Sequence, residues 1–270
     1  MKITFIGGGN MATALIGGLK KQGFSAAGMQ VVDPVHETRV RLTETFGVRC
    51  TPVIDPAALN CEVLVLAVKP QLMKEAVAPA AGKLSDQLVI SIAAGLRLAD
   101  IGRWLGDYPR LVRTMPNTPA LIGAGITGLY AGPAVDHEGR GVAEKILAAV
   151  GRTLWIDDEA LMDVVTAVSG SGPAYVFYFV EALQNAGAQL GLPADTARLL
   201  AVETFLGAAR LAEASNEELA LLRARVTSKG GTTAAALHAF GEANIDAAIA
   251  RGVSAAAARG RELCEQLGKV

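Results

Sequence analysis

The stretch "FIGGGNMATAL", residues 5–15, decides the fold of this 270-residue chain. It continues the β-branched run "KITFIG" and leads into apolar residues at helical spacing, namely Ala12, Leu15, Ile16 and Leu19. Gly7, Gly9 and Ala12 match the pattern G-x-G-x-x-[GA], in which a tight turn joins a strand to a helix. The stretch therefore predicts the first β–α turn of an α/β sheet.

Each glycine of this turn has a reason in phosphate binding. Gly7 lets the chain turn, and Gly9 lets the backbone approach a pyrophosphate. The helix that follows offers free N–H groups and a partial positive charge at its N-terminus. A tight turn without a ligand is the alternative. The strand before it, the helix after it and the acid Asp33 at the end of the next strand favour a dinucleotide site.

Asp33 has three interpretations. Its carboxylate binds a ribose 2′-hydroxyl, which favours NAD; or it caps the following helix, near Pro34; or it points away while Arg39 or Arg41 contacts a 2′-phosphate. An acid at this position argues against NADP, but the two nearby arginines argue for it. The sequence leaves the choice between NADP(H) and NAD(H) open.

The first half of the chain alternates apolar runs with helical patterns. After "KITFIG" the predicted strands are "MQVVD", "CEVLVLAV", "QLVISIAAG", "RLVRTMP", "GITGLYAG" and "RTLWID", with a helix near residues 137–149 between the last two. Apolar runs without alternation are typical of parallel strands that are covered on both faces. Residues 1–157 are therefore predicted to form a Rossmann-like, doubly wound parallel sheet.

The loops that follow these strands should lie at the carboxyl edge of the sheet, where ligands bind. "LAVKPQ", "SIAAG" and "TMPNTPALIGAG" are such loops, and the amide of Asn117 is suited to a carboxamide or to the substrate. Ordinary β–α connections rich in turn formers are the alternative. The candidate cofactor contacts are Gly7, Gly8, Gly9, Asn10, Met11, Asp33, Ala67, Val68, Lys69, Pro70, Ala93 and Asn117.

After "WIDDEA" only helical periodicity remains, so residues 158–270 are predicted to form an all-helical domain. The helix that begins at "SGSGPAYVFYFVEAL" is apolar on nearly every side, and such a helix is buried on nearly every side. A domain of this size buries it most simply against a second copy of the chain. A central helix within a monomer is the alternative.

The segment "TSKGGTT", residues 227–233, interrupts this helical half. Gly230 and Gly231 leave N–H groups unobstructed at a helix start, and Ser228, Thr232 and Thr233 add hydroxyl groups, which suits a carboxylate. Ordinary capping by Ser or Thr is one alternative. A catalytic Lys229 is another alternative. A catalytic lysine must be buried so that its pKa is lowered, however, and a glycine turn holds its side chains loosely.

Composition narrows the function further. The net charge of −1 and the isoelectric point near 6.3 give no electrostatic case for nucleic acid or an anionic membrane. The longest apolar run of the C-terminal half is too short to cross a bilayer. Three cysteines without metal or disulfide spacing indicate reduced thiols in the cytoplasm and no metal site. A hydrophobic content of 51% suits a chain that buries surface against a partner.

The order of the motifs resembles bacterial pyrroline-5-carboxylate reductase over nearly the whole chain. The matching segments are "FIGGGNM", "AVKP", "SIAAG", "MPNTPALIGAG", "VSGSGPAYVF" and "VTSKGGTT". The resemblance implies reduction of Δ1-pyrroline-5-carboxylate to L-proline with NADPH or NADH. It also implies a helical domain that interlocks two subunits, and dimers that assemble further. Its substrate-binding residues would be Ser228, Gly230, Gly231, Thr232, Thr233 and Asn117.

The resemblance implies that "TSKGGTT" binds the substrate carboxylate and that Thr233 approaches the ring nitrogen, which makes Thr233 the candidate catalytic residue. Its hydroxyl would hold the nitrogen by a hydrogen bond or pass a proton from water, and the first role is preferred because threonine is a very weak acid. The family commonly has proline where this chain has Lys229; if that position varies within the family, the lysine cannot be the general catalyst. Two rival functions remain: a β-hydroxyacid-type dehydrogenase that uses Lys229 as acid and base, and a non-catalytic dimer that senses nucleotides. The first rival usually carries its lysine within a long helix, and residues 172–190 contain none.

Overall fold

The computed structural model describes residues 1–269. The chain forms two compact units. Met1–Ser171, together with the chain from Ala255 onward, makes the first unit, and Gly172–Ser254 makes the second. These units differ from the predicted domains, because the end of the chain returns to the first unit and the division falls after residue 171. A domain boundary at residue 157 stays a prediction.

A sheet of eight strands, counted within residues 1–269, forms the centre of the first unit. The strands are β1 Ile3–Ile6, β2 Met29–Val32, β3 Arg49–Thr51, β4 Val63–Leu66, β5 Leu88–Ser91, β6 Leu111–Met115, β7 Gly125–Ala131 and β8 Gly151–Trp155. Their order across the sheet is β3-β2-β1-β4-β5-β6-β7-β8. All neighbouring pairs are parallel except β6 and β7. The Rossmann-like sheet is therefore confirmed.

Two details of the predicted sheet were wrong. β3 was missed, because three residues at the sheet edge, none of them fully buried, carry too short an apolar run. β7 was expected to run parallel, but it pairs antiparallel with β6. The connection over residues 116–124 explains this direction, since a parallel crossover needs about a dozen residues or more.

Helices cover both faces of this sheet. They are α1 Asn10–Lys21, α2 His36–Phe46, α3 Pro56–Leu59, α4 Met73–Val77, α5 Leu98–Trp104, α6 His137–Leu147 and α7 Met162–Val165. One apolar core packs against α1, α2 and α6, and another packs against α4 and α5. The strands contribute buried side chains to both cores. For example, Val65 belongs to the first core and Leu64 and Leu66 to the second.

The helices of the C-terminal half are α8 Gly172–Gln189, α9 Ala194–Ala214, α10 Leu219–Arg225, α11 Thr232–Glu242 and α12 Ile245–Gly268. α12 starts in the second unit and ends in the first. No helix within residues 1–269 combines the length and the apolar character that a membrane span requires.

The apolar side chains of the second unit point outward. α8 and α9 pack closely at small residues, because a Cβ on Gly187 would lie 3.4 Å from the Cβ of Ala197. Ala197 is buried, whereas Phe177 and Tyr178 are each 68% exposed. A single copy of the chain therefore leaves the large side chains of α8 uncovered, contrary to the alternative of a central helix within a monomer.

A buried cluster of charged side chains contacts the end of α12 inside the first unit. Asp163 of α7 and Arg113 of β6 are almost fully buried and pair at 3.0 Å, between Oδ1 and Nη2. Arg97 also pairs with Asp163. Burial raises the pKa of the Cys264 thiol in α12, so the thiol stays protonated. The thiol donates to Oδ1 of Asp163, which lies 3.6 Å from its Sγ. Asp163 is therefore the centre of a buried polar cluster.

Replacing Asp163 with alanine should lower the free energy of unfolding by about 3 kcal/mol, because the buried Arg113 would lose its nearest carboxylate and keep only Glu159, whose Oε1 lies 3.4 Å from Nη1. Asp157→Ala is the control, since this exposed carboxylate precedes α7 and its loss should cost no more than about 0.5 kcal/mol. Urea denaturation followed by circular dichroism, at one protein concentration, measures both. A change below about 1 kcal/mol for Asp163→Ala would contradict the role of the cluster.

Candidate functional site

The candidate cofactor loops meet at one edge of the sheet. β1, β2, β4 and β5 run parallel, so the loops after their carboxyl ends share this edge. β1 lies between β2 and β4, and the direction in which the chain adds strands reverses there. Such a switch point opens a crevice in which dinucleotides bind. The turn of residues 7–11 leaves β1 at this crevice and enters α1.

Gly7 and Gly8 lie in close contact with neighbouring segments. Gly7 has φ +98°, in the left-handed region, and a Cβ there would lie 2.6 Å from the carbonyl oxygen of Ala67, so this position requires glycine. A Cβ at Gly8 would lie 2.6 Å from the Leu42 side chain and 2.7 Å from the Thr38 side chain, so a larger residue would displace them. The turn after β1 is therefore held between the loop after β4 and the helix α2.

Gly9 stands beside open space. A Cβ at Gly9 would meet no atom of the described residues within 4 Å. Gly9 is the N-cap of α1 and provides no side-chain hydrogen bond to it. Asn10 is exposed and Met11 is partly exposed. The N–H groups in the first turn of α1 have no intrahelical partners, so this helix end fits the diphosphate of a nicotinamide dinucleotide.

Each oxygen of the Asp33 carboxylate accepts a hydrogen bond from the backbone. Asp33 is 9% exposed. Its Oδ2 accepts a hydrogen bond from the Gly8 N–H at 2.8 Å, and its Oδ1 accepts one from the Val35 N–H at 2.9 Å. The side chain thus joins the glycine turn to the start of α2. This geometry matches the capping interpretation in part, because Val35 is the N-cap residue of α2.

Arg39 and Arg41, both on α2, donate hydrogen bonds to two neighbouring turns. Nη1 of Arg39 donates to the carbonyl oxygens of Asp33 and Pro34, both at 2.8 Å. Nη2 of Arg41 donates to the Gly8 carbonyl at 3.2 Å. Two guanidinium groups therefore stand next to the carboxylate that was predicted to select the cofactor.

The loops after β4 and β5 complete the crevice. Ala67 donates to the Ile6 carbonyl at 2.7 Å, which fastens the loop after β4 to the end of β1. Lys69 is exposed, and Val68 and Pro70 are partly exposed. Pro70 begins a 3-10 turn, Pro70–Leu72, which precedes α4. Ala93, after β5, is buried and donates to Oγ of Ser91 at 3.3 Å.

Asn117, after β6, uses both atoms of its amide inside the protein. Nδ2 donates to the carbonyl oxygen of Ser169 at 3.1 Å, and Oδ1 accepts from the Ile126 N–H at 3.0 Å. The residue is 8% exposed. Because β6 runs parallel to β5, Asn117 lies at the same edge of the sheet as the cofactor loops.

Ser169 belongs to a π-helical segment, Thr166–Gly170, between α7 and α8. The Ser171 N–H reaches back to the Thr166 carbonyl at 2.8 Å. Such π-bulges are rare and occur frequently at functional sites. Sequence reasoning missed the pairing of Asn117 with Ser169. The only sequence signal for this pairing was Pro173, which lies four residues after Ser169 and has no N–H to donate.

The "TSKGGTT" residues belong to the second unit. Gly230 has φ +73° and Gly231 is the N-cap of α11. A Cβ at Gly231 would overlap Oγ of Ser228, so a larger residue there would displace the Ser228 hydroxyl. The Gly231 N–H donates to the Ser228 carbonyl at 3.0 Å, and it is therefore not unobstructed as the sequence suggested.

Thr232 and Thr233 start α11, as predicted. Their N–H groups and that of Ala234 stand in the first helical turn, which has no intrahelical acceptor for them. No side chain caps this helix. Lys229 is exposed, and the ion pairs within residues 1–269 do not include it.

Comparison with protein-family models gives two matches. A model described as pyrroline-5-carboxylate reductase dimerisation matches residues 159–263. A model described as NADP oxidoreductase, coenzyme F420-dependent, matches residues 2–95. The second match contains the glycine turn, Asp33 and the loops after β4 and β5. The first contains the π-segment and the "TSKGGTT" loop.

The chain is also similar to whole proteins. Pyrroline-5-carboxylate reductase of Pseudomonas aeruginosa is 46% identical and covers 99% of this chain and 98% of its own. The solved structure of a pyrroline-5-carboxylate reductase from Coxiella burnetii is 42% identical, with a TM-score of 0.92, and covers 97% of this chain and 98% of its own.

A more distant solved structure was determined with a nucleotide. Pyrroline carboxylate reductase of Plasmodium falciparum with NADP bound is 27% identical, covers 98% of both chains and has a TM-score of 0.86. Identity above 40% over nearly the full length, for both the P. aeruginosa and the C. burnetii proteins, establishes common ancestry. This chain belongs to the pyrroline-5-carboxylate reductase family.

Proposed function

We propose that the protein reduces Δ1-pyrroline-5-carboxylate to L-proline with NADPH or NADH, as the last step of proline synthesis. The observation that carries the proposal is the full-length similarity to pyrroline-5-carboxylate reductases. One chain combines a dinucleotide turn with a glycine-opened helix start, and both lie within the matched length. The β-hydroxyacid alternative is not favoured, since Lys229 is exposed beside a glycine turn.

The first unit would hold the dinucleotide. The diphosphate suits the first turn of α1 above Gly9, where a side chain would fill the open space. When bound, the reduced nicotinamide supplies a hydride. Lys69, Ala93 and the other predicted residues after β4 and β5 would line the remainder of the crevice. The contact of Asn117 with a carboxamide stays a prediction, since Nδ2 retains a second proton.

The second unit would hold the substrate. Uncapped N–H groups at the start of α11 suit its carboxylate, because a helix N-terminus favours an anion. The Thr233 hydroxyl would hold the ring nitrogen by a hydrogen bond. Because a threonine hydroxyl is a very weak acid, the proposed role of Thr233 is to position the ring nitrogen. Ser228, Gly230, Gly231 and Thr232 would shape the same loop.

The chemistry requires little from ionisable side chains. A ketone reductase must protonate a developing alkoxide, whereas a cyclic imine is basic enough to be protonated before the hydride arrives. The protein then has to orient the C=N⁺ bond towards the hydride donor and exclude water. Orientation alone supplies roughly 7–11 kcal/mol of barrier reduction in favourable cases. Backbone N–H groups and hydroxyls are sufficient for this task.

The active form is proposed to be an interlocked homodimer that assembles further. The match to a dimerisation model covers α8 and α9. Phe177 and Tyr178 on α8 and Leu199 on α9 are each more than 60% exposed in one chain, and burial of such side chains against a second copy stabilises by roughly 1.5–3 kcal/mol each.

Asp33 is proposed to position the turn, and the arginines to select the cofactor. Two backbone N–H groups already bind the Asp33 carboxylate, which reduces its capacity to accept from a ribose hydroxyl. Arg39 and Arg41 have donors to spare for a 2′-phosphate, because a guanidinium carries five. We therefore favour NADPH over NADH.

The principal experiment follows NADPH and NADH consumption with Δ1-pyrroline-5-carboxylate. Thr233→Ala should lower kcat/KM by about tenfold or more, since a hydrogen bond to a charged group is lost. Lys229→Met is the matched control from the same loop and should retain most activity. Near-total loss in Lys229→Met would favour the hydroxyacid dehydrogenase. Absence of any turnover in the unsubstituted protein would favour the nucleotide sensor.

The double substitution Arg39→Ala and Arg41→Ala should raise the KM for NADPH about tenfold and change that for NADH less than about twofold, because only NADPH carries the 2′-phosphate. Steady-state kinetics with each nucleotide measures the difference. Lys83→Ala is the control, since Lys83 is exposed and precedes β5. An equal rise for both nucleotides would argue against the arginines as selectors.

Phe177→Glu should shift the protein towards monomer in sedimentation velocity experiments, because a carboxylate would enter the proposed interface. Val53→Glu is the matched control: Val53 is 64% exposed, close to the 68% of Phe177, but it lies outside the dimerisation match. A Phe177→Glu protein that sediments as the unsubstituted protein does would remove α8 from the interface.

A further inference from the structure

We propose that Asn117 is a positioning residue, and that its amide replaces the hydrogen bond that Pro173 removes from Ser169. The bond would fix the part of the cofactor edge against which the nicotinamide binds. The inference rests on the proposed function, because it assigns the role with respect to the nicotinamide dinucleotide. It does not require Asn117 to touch that dinucleotide.

The Ser169 carbonyl needs a donor because of the sequence. The π-segment ends at Gly170 and α8 begins at Gly172, so Ser171 alone separates the two helical segments. In an α-helix the carbonyl of residue 169 would accept from the N–H of residue 173. Residue 173 is proline, which has no N–H. Since Ser169 is partly buried, leaving its carbonyl unpaired would be unfavourable.

Asn117 provides the missing donor and an acceptor at once. Nδ2 donates to Ser169 while Oδ1 accepts from Ile126, at 3.1 Å and 3.0 Å. One buried side chain therefore links the loop after β6, the start of β7 and the π-segment. Aspartate would keep the acceptor and lose the donor. Alanine would lose both.

The link lies on the side of the crevice that the nicotinamide should occupy. The diphosphate is assigned to α1, and Asp33 with its arginines stands on the β2 side of the switch point. The other end of an extended dinucleotide then reaches towards the ends of β5 and β6. The π-segment lies directly on the last residue of β6, because a Cβ at Gly170 would overlap Met115 at 2.4 Å. A shift of this segment would move that wall.

The test compares Asn117→Ala, Asn117→Asp, Pro173→Ala and the pair Asn117→Ala with Pro173→Ala. Dissociation constants are measured for NADPH and for 2′-phospho-ADP-ribose, which lacks the nicotinamide. Both Asn117 substitutions should weaken NADPH binding and lower kcat by about tenfold, whereas binding of the fragment should change less than about twofold. Asn60→Ala, at an exposed position ahead of β4, should change neither.

Recovery in the double variant is the decisive arm. Pro173→Ala introduces a backbone N–H that can pair with Ser169. The double variant should therefore bind NADPH at least about threefold more tightly than Asn117→Ala does. Equal loss of affinity for NADPH and for the fragment, or no recovery, would overturn the inference. If Asn117→Ala does not fold, Asn117→Asp serves in its place. Lack of turnover by the unsubstituted protein would reject the proposed function but leave these binding comparisons valid.

Discussion

The carboxylate of Asp33 is the interaction on which the cofactor edge depends. By accepting from Gly8 and Val35 it holds the turn after β1 to the start of α2. Gly7 closes the same turn onto the loop after β4, where a Cβ would collide with the Ala67 carbonyl. Three β–α connections are thereby locked together, and Gly9 faces the open space that remains. The shape of the crevice thus follows from two glycines and one buried acid.

A different constraint governs the second unit. Its helices α8 and α9 approach each other at small residues, as at Ala197 and Gly187. The large side chains, such as Phe177, are exposed in one chain. Folding stability depends mainly on buried apolar surface. In the proposed homodimer, burial of these side chains against a second copy would therefore add to the stability of this half.

Much of the fold was predictable because its signals are local. The glycine motif, the apolar runs and the start of α11 at Thr232 depend on neighbouring residues and were predicted correctly. The antiparallel β7 depends on the length of a connection, and the short β3 on pairing at an edge. The bond between Asn117 and Ser169 spans 52 residues and forms only in the fold, so the proline after Ser169 indicated a missing donor but not which residue replaces it. The bond from the Gly231 N–H to Ser228 is local, but it depends on the exact turn geometry, which the residue types alone do not fix.

The proposed substrate loop favours one end of the substrate over the other. Arg225 is paired with Glu217, and residues 227–233 carry one cation, Lys229, and no acidic residue. A helix N-terminus with a lysine beside it attracts a carboxylate but opposes a cationic ring. The cation must then be stabilised by neutral acceptors, and the hydroxyl oxygen of Thr233 is one, because it can accept from the ring N–H⁺ without adding charge. A loop that binds an anion by backbone N–H groups therefore also explains why a threonine, and not an acid or a lysine, is suited to the nitrogen.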